Sequence, residues 1–87
     1  MHQNYPNPFN PITTIQYDLP EDGNIKLIIY NIRGREVIVL VNGNQEAGYK
    51  SIRWNGRNAA GQLVSAGMYF YAIGTNGHSA IRKMVLL

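Results

Sequence analysis

The sequence predicts an all-β protein: a small antiparallel, immunoglobulin-like β-sandwich of six to seven short strands. Three observations carry this. Apolar and polar residues alternate in several separate segments, the period of a strand with one buried face. Turn chemistry parts those segments, as at Pro20-Glu21-Asp22-Gly23, Asn55-Gly56 and Asn76-Gly77. No segment holds apolar residues at the 3.6-residue period of a helix packed on a core.

Residues 1–11 read as an extended arm. Pro6, Pro8 and Pro11 each set their own φ and push the preceding residue into extended geometry. Tyr5 and Phe9 are the side chains able to pin this arm to the rest, the sandwich of residues 12–87. From Ile12 the chain alternates, with Ile15, Tyr17 and Leu19 on one face and Thr14, Gln16 and Asp18 on the other. A turn follows at 20–23. The second strand, Ile25 to Tyr30, turns Ile25, Leu27 and Ile29 inward, and Asn31 to Arg35 reverses it with Gly34 at positive φ. Glu36 to Val41 is short and β-branched, hence a third strand, and Asn42 to Gly48 reads as a polar loop.

Tyr49 to Trp54 alternates again and places Ile52 and Trp54 inside. Two quick turns, Asn55-Gly56 and Ala60-Gly61, lead to a brief strand-like stretch at Leu63-Val64. Ser65 to Gly67 turns into a strand from Met68 to Ile73, with Tyr69 and Tyr71 inside. Asn76-Gly77 is a hairpin signal, and Ser79 to Leu87 forms the last strand. Its inward face is open, because Met84 to Leu87 is apolar at every position.

Size and charge narrow the function classes. An 87-residue chain makes one small core, which leaves little room for the deep cavity of a cofactor enzyme. Without cysteine there is neither a disulfide nor a thiolate site. The net charge of +3 is uneven: residues 1–24 carry Asp18, Glu21 and Asp22 and no Lys or Arg, whereas residues 47–87 carry Lys50, Arg53, Arg57, Arg82 and Lys83 and no acid. Such a basic half attracts anions, including anionic glycans, but lacks the dense basic clusters of a nucleic-acid binder. Apolar runs such as Val37 to Val41 fall far short of the roughly 20 residues of a membrane helix.

Catalytic chemistry is sparse. His2 and His78 are the only imidazoles, one in the proline arm and one after a turn, and neither has a nucleophile and orienting acid at a plausible spacing. The stretch from Trp54 to Gly61 has the cadence of a calcium loop but contains no carboxylate, so the expectation is an asparagine-stabilised double turn with no metal. Neither a catalytic residue nor a cofactor is expected. The aromatic residues could stack on sugar rings, yet their alternation with Ile52 and Ile73 makes them core residues first.

Four segments carry a family resemblance. Tyr5-Pro6-Asn7-Pro8-Phe9-Asn10-Pro11, followed by Ile15-Gln16-Tyr17 to Leu19-Pro20, resembles the start of the C-terminal sorting domains of type IX (Por) secretion. Tyr30-Asn31-Ile32-Arg33-Gly34-Arg35-Glu36-Val37 is similar to their glycine-arginine hairpin. Trp54-Asn55-Gly56-Arg57-Asn58, then Gly67-Met68-Tyr69-Phe70-Tyr71, resembles their tryptophan-turn block, and Arg82-Lys83-Met84-Val85-Leu86-Leu87 their terminal strand. The related Ig-like domain of flagellar hook-capping proteins shares the tryptophan turn but usually lacks the proline arm. Asn31, Asn55 and Asn58 stand where the family often has aspartate, and many members carry one more basic residue after the position of Leu87.

The resemblance implies a non-catalytic address label on a larger secreted or cell-surface protein of a Gram-negative bacterium. Its partners would be the secretion translocon, a sortase-like peptidase and a parent cargo domain on its N-terminal side, with no nucleic acid and no membrane span. A monomer is expected. The recognition residues it suggests are Tyr5, Pro6, Asn7, Pro8, Tyr30, Gly34, Arg35, Trp54, Gly56, Gly67, Tyr69, Arg82 and Lys83. A compact sandwich with an exposed terminal strand would suit recognition by strand addition. A structural spacer and a carbohydrate-binding accessory module are the alternatives.

Overall fold

Alternation of apolar residues yields strands because successive side chains leave opposite faces of a pleated chain. A computed structural model describes residues 2–75 and 77–87 of the chain. Six strands are present among them: β1 (Thr13–Leu19), β2 (Gly23–Asn31), β3 (Glu36–Gln45), β4 (Gly48–Trp54), β5 (Gly67–Thr75) and β6 (His78–Leu86). β1 and β4 form a two-stranded sheet, and a four-stranded sheet has the order β3-β2-β5-β6. Every pairing is antiparallel. The two sheets enclose one core, as the sequence predicts for an Ig-like sandwich.

Each strand sends one face inward. β1 buries Ile15, Tyr17 and Leu19, β2 buries Ile25, Leu27 and Ile29, and β5 buries Tyr69, Tyr71 and Ile73. Full burial of one such aliphatic side chain stabilises the fold by about 1.5–3 kcal/mol. Trp54 closes the far end of β4 with no exposed surface, whereas Ile52, expected inside, is half-buried against the core. The ambiguous face of the last strand is settled by pairing. Met84 lies opposite Tyr69 and so turns inward with Leu86, while Val85 lies outside.

Two sequence expectations need correction. Residues 42–48 do not form a loop throughout: β3 continues to Gln45, and Asn42, Gly43, Asn44 and Gln45 pair with Lys26, Ile25, Asn24 and Gly23. Asn and Gly are poor strand formers by themselves, but β2 offers a row of backbone groups that need partners, and tertiary pairing outweighs the local preference. Gln45 also accepts a hydrogen bond from the Tyr17 hydroxyl at 2.7 Å, which ties the two sheets together. Leu63-Val64 is not a strand. Leu63 makes an isolated bridge with Arg57, and Val64 N–H donates to the Gly56 carbonyl at 2.9 Å, so this stretch folds back on the tryptophan turn.

The registers sort the connections into two poles. At one, Thr13 faces Trp54, Tyr30 faces Glu36 and Gly67 faces Leu86. At the other, Leu19 faces Gly48, Gly23 faces Gln45 and Thr75 faces His78. The expected Asn76-Gly77 turn belongs to this second pole. Gly77 has φ +82°, and Asn76 lies outside the described residues.

Candidate recognition surface

The proline arm is a strap across the gap between the two sheets. Each sheet ends in a free edge on this side, β1 in one and β6 in the other. The arm first follows β1: His2 N–H donates to the Gln16 carbonyl at 3.1 Å, and Tyr5 and Thr14 exchange two backbone hydrogen bonds of 2.9 and 2.8 Å. It then crosses to β6. Phe9 N–H donates to Val85 at 3.0 Å, Leu87 N–H donates to Phe9 at 2.9 Å, and the Asn7 Oδ1 accepts from Val85 N–H at 3.0 Å. Gln3 Nε2 reaches the Lys83 carbonyl at 3.0 Å. The terminal strand is therefore not an open edge along its whole length. The arm covers it from Lys83 to Leu87, because extended backbone beside unpaired N–H and C=O groups forms a ladder.

Asn4 anchors the strap. This residue is only 3% exposed. Its Nδ2 donates to the Thr13 hydroxyl at 3.0 Å and to the Pro6 carbonyl at 3.2 Å, and its N–H donates to the Tyr71 hydroxyl at 2.9 Å. Tyr71 in turn donates to the His2 carbonyl at 2.8 Å, and Thr13 donates to Pro6 at 2.9 Å. Buried polar groups without partners are costly, so a network satisfied this fully specifies one seat for the arm. Burial raises the pKa of the Tyr71 hydroxyl, and the bond from Asn4 and the charge of Arg82 offset part of that rise. Neither Asn4 nor Thr13 was among the expected site residues. The available signal was Thr13 standing in phase with Ile15 and Tyr17, a polar residue at an inward position.

An aromatic row continues from the arm into both sheets. Phe9 packs on Trp54 with ring centroids 5.7 Å apart, and Trp54 meets Tyr69 edge-on at 5.4 Å. Trp54 Nε1 donates to the Arg57 carbonyl at 2.9 Å, and the Tyr69 hydroxyl donates to Ser65 at 2.6 Å. Burial also raises the Tyr69 pKa. Gly56 sits beneath this row at φ +72°, where an added Cβ would lie 3.1 Å from the Pro11 carbonyl. The turn itself is asparagine-built: Asn55 Oδ1 accepts from Arg57 N–H, and Asn58 Oδ1 accepts from both Ala60 and Gln62. These oxygens serve backbone amides.

The hairpin motif uses the same device. Asn31 Oδ1 accepts from the N–H groups of Arg33 and Arg35 at 2.9 and 3.1 Å, with Gly34 at φ +80°. Tyr30 is half-buried and Arg35 exposed. An open groove of about 550 Å³ separates this hairpin from the tryptophan turn, lined by Asn31, Glu36, Asn58, Leu63 and Tyr69.

The expected recognition residues thus divide. Trp54, Gly56 and Tyr69 are buried, and their contacts build the fold. Pro6, Asn7, Pro8, Arg35, Gly67, Arg82 and Lys83 are exposed. Tyr5 pins the arm through its backbone only, since its ring is 80% exposed, and Phe9 supplies the apolar anchor. Arg82 and Lys83 do not form one patch: consecutive strand residues leave opposite faces, Arg82 opposite Tyr71 and Lys83 opposite Phe70. Of the two imidazoles, His2 lies 3.3 Å from Asp18 on the surface, and His78 is exposed at the pole where Leu19 faces Gly48.

Known structures share this fold. The chain superposes over 98% of its length on latent PorU from Porphyromonas gingivalis, with a TM-score of 0.76 and 22% identity. It matches PorZ, a surface component of the type IX secretion system of the same organism, over 98% of its length at a TM-score of 0.70 and 23% identity. FlgD from P. aeruginosa aligns with 87% of the chain at a TM-score of 0.66 and 22% identity. The chain spans 9% of the PorU chain, 11% of PorZ and 66% of FlgD. Among curated proteins no sequence match is found. The family model of the FlgD Ig-like domain matches residues 11–78, from the end of the arm to the start of β6, and the chain belongs to that family.

Proposed function

We propose that this Ig-like domain is a non-catalytic C-terminal sorting module, read in its folded form by the outer-membrane type IX secretion machinery. The observation that carries the reading is convergence. Four resembling segments, distant in sequence, meet at the Trp54 pole: Phe9 and Pro11, the 30–36 hairpin, the 54–61 turn with Tyr69, and Leu86. His2 lies farther along β1, beside Gln16 and Asp18. A cargo domain joined ahead of His2 would therefore leave the Trp54 pole uncovered. The partners in this reading are the translocon and a sortase-like peptidase, the destination is the medium or the outer cell surface, and the likeness to PorU and PorZ supports that setting.

The test is a signal-peptide-bearing reporter carrying residues 2–87 at its C-terminus, in a host with a type IX system. Export of the reporter is expected. Retention in the periplasm, while an established sorting signal exports the same reporter, would overturn the proposal. One observation favours a second reading, a structural spacer: Trp54, Gly56 and Tyr69 all serve packing. A spacer would export nothing and would work equally well in the interior of its parent.

A further inference from the structure

The fold turns the uneven charge of the sequence into a difference between its two ends. Asp18, Glu21, Asp22 and Glu46 lie at the pole where Leu19 faces Gly48, at the end of β1 and in the connections that follow β1 and β3. The Trp54 pole carries Arg33 and Arg35 on its hairpin, Arg53 opposite Thr14 and Arg57 in the tryptophan turn, with Glu36 as its one carboxylate. Among the described residues no carboxylate lies within ion-pair distance of these arginines. Arg57 uses one guanidinium N–H on the Gly61 carbonyl, at 2.8 Å, and keeps the other donors of its fork. The groove between the hairpin and the tryptophan turn does not end at the hairpin. A second recess of about 200 Å³, walled by Ile32, Arg33 and Met68, shares Asn31 and Tyr69 with it. Three large apolar side chains of these walls stand in water: Ile32 is 71% exposed, Leu63 60% and Met68 41%.

We propose that this groove docks an acidic segment of a partner protein, one in which a large apolar side chain is flanked by aspartate or glutamate. The apolar side chain packs on Leu63 and Met68, and the flanking carboxylates meet Arg33 and Arg35 on the hairpin and Arg57 beside Gly61. Charge complementarity selects the acid: a guanidinium without an internal partner offers a carboxylate a paired, charge-assisted hydrogen bond. The apolar walls select a polypeptide. An anionic glycan or a nucleic acid would satisfy the arginines and leave Ile32, Leu63 and Met68 facing water, whereas an exposed apolar patch rimmed by charge is the composition of a protein interface. A second copy of this chain does not supply the segment. Its acidic stretch, Asp18 to Asp22, keeps its one large apolar residue, Leu19, inside the core at 2% exposure. The groove is also preformed, because the Asn31 and Asn58 side chains hold both of its turns through backbone N–H groups. The inference rests on the sorting reading for the choice of this pole and names the chemistry of what reads it. Binding is measured on the purified chain and export in cells, so the two readings fail separately.

The experiment is an NMR titration of the whole chain with a capped hexapeptide that holds leucine and phenylalanine between two pairs of glutamates. Its glutamine counterpart, hexaglutamate and a sulfated hexasaccharide are titrated beside it. Amide shifts at Ile32, Arg33, Ala60 and Leu63 are expected with the first peptide, and they weaken as salt is raised. The glutamine counterpart and hexaglutamate are each expected to bind about tenfold more weakly, the fold-change that one charge-assisted hydrogen bond is worth. Two variants follow. Arg33→Gln with Arg35→Gln removes the charge and keeps the hairpin, whose bonds to Asn31 run through backbone N–H groups. Leu63→Ser removes an exposed apolar side chain and keeps the backbone bridge to Arg57. Each is expected to retain the native amide spectrum and lose most of the peptide binding, while Lys26→Gln, an exposed change on β2 away from the groove, binds as the unaltered chain does. No shift with the glutamate peptide, equal binding of its glutamine counterpart, tighter binding of the hexasaccharide, shifts centred on the opposite pole, or binding that survives both variants would overturn the proposal.

Discussion

The Leu19 pole and the Trp54 pole are joined by the same six strands but are closed in different ways. At the Leu19 pole the connections are short. Glu46-Ala47 links β3 to β4, and the Asp22 carboxylate accepts from Ala47 N–H at 2.7 Å. Gly77 has a positive φ and open space around it. At the Trp54 pole the connection 55–66 is the longest between strands. It is held by asparagine oxygens, the Trp54 indole N–H and the Tyr69 hydroxyl, with the arm packed beneath it. The difference is one of chain entropy. A tight turn needs only local chemistry, whereas a long loop keeps one shape only if residues remote in sequence hold it.

That contrast can be broken most forcefully at Trp54. Trp54→Ala removes the ring that joins Phe9 to Tyr69 and should cost about 3–5 kcal/mol, measured by chemical denaturation. A loss below about 0.5 kcal/mol, the range of ordinary surface changes, would show that the aromatic row does not hold this pole. The two positive-φ glycines sharpen the comparison. Gly77→Ala strains only its own backbone, at about 1 kcal/mol, while Gly56→Ala adds the close approach to Pro11 and should cost roughly 2–3 kcal/mol. Equal losses at the two sites would remove the distinction between the poles.

Asn4→Ala withdraws the anchor of the strap and leaves the Thr13 side of the network short of a donor. We expect a loss of about 1–2 kcal/mol. Hydrogen exchange should locate it, with faster exchange at Tyr5, Phe9, Val85 and Leu87 and unchanged protection in β2. The smallest effect concerns pH. Burial raises the Tyr71 pKa above its unfolded value of 10.0, so folding favours the neutral hydroxyl. The corresponding stability is fully present below about pH 10 and is lost as pH rises through the folded pKa. Tyr71→Phe should therefore shallow the alkaline fall in melting temperature, although Tyr17 and Tyr69, raised for the same reason, keep part of it. An unchanged alkaline limb would show that Tyr71 does not drive it.

The sequence by itself determined the strand class, the inward faces and most of the turns. Period-2 alternation is a local property, so Ile15, Tyr17, Leu27, Ile29, Tyr69 and Tyr71 could be assigned to the core without knowing what they touch. Gly34 and Asn31 likewise announce a reversal through their own conformational preferences. Tertiary structure alone decided what depends on a partner distant in the chain. The extension of β3 to Gln45 rests on the backbone groups of β2. The inward turn of Met84 rests on Tyr69. The arm's crossing from β1 to β6, the burial of Asn4 against Thr13 and Tyr71, and the length of β6 edge left uncovered all follow from where two sheets happen to end. No residue's own preference encodes that, because a hydrogen-bonding edge has no sequence signature until something is seen to lie along it.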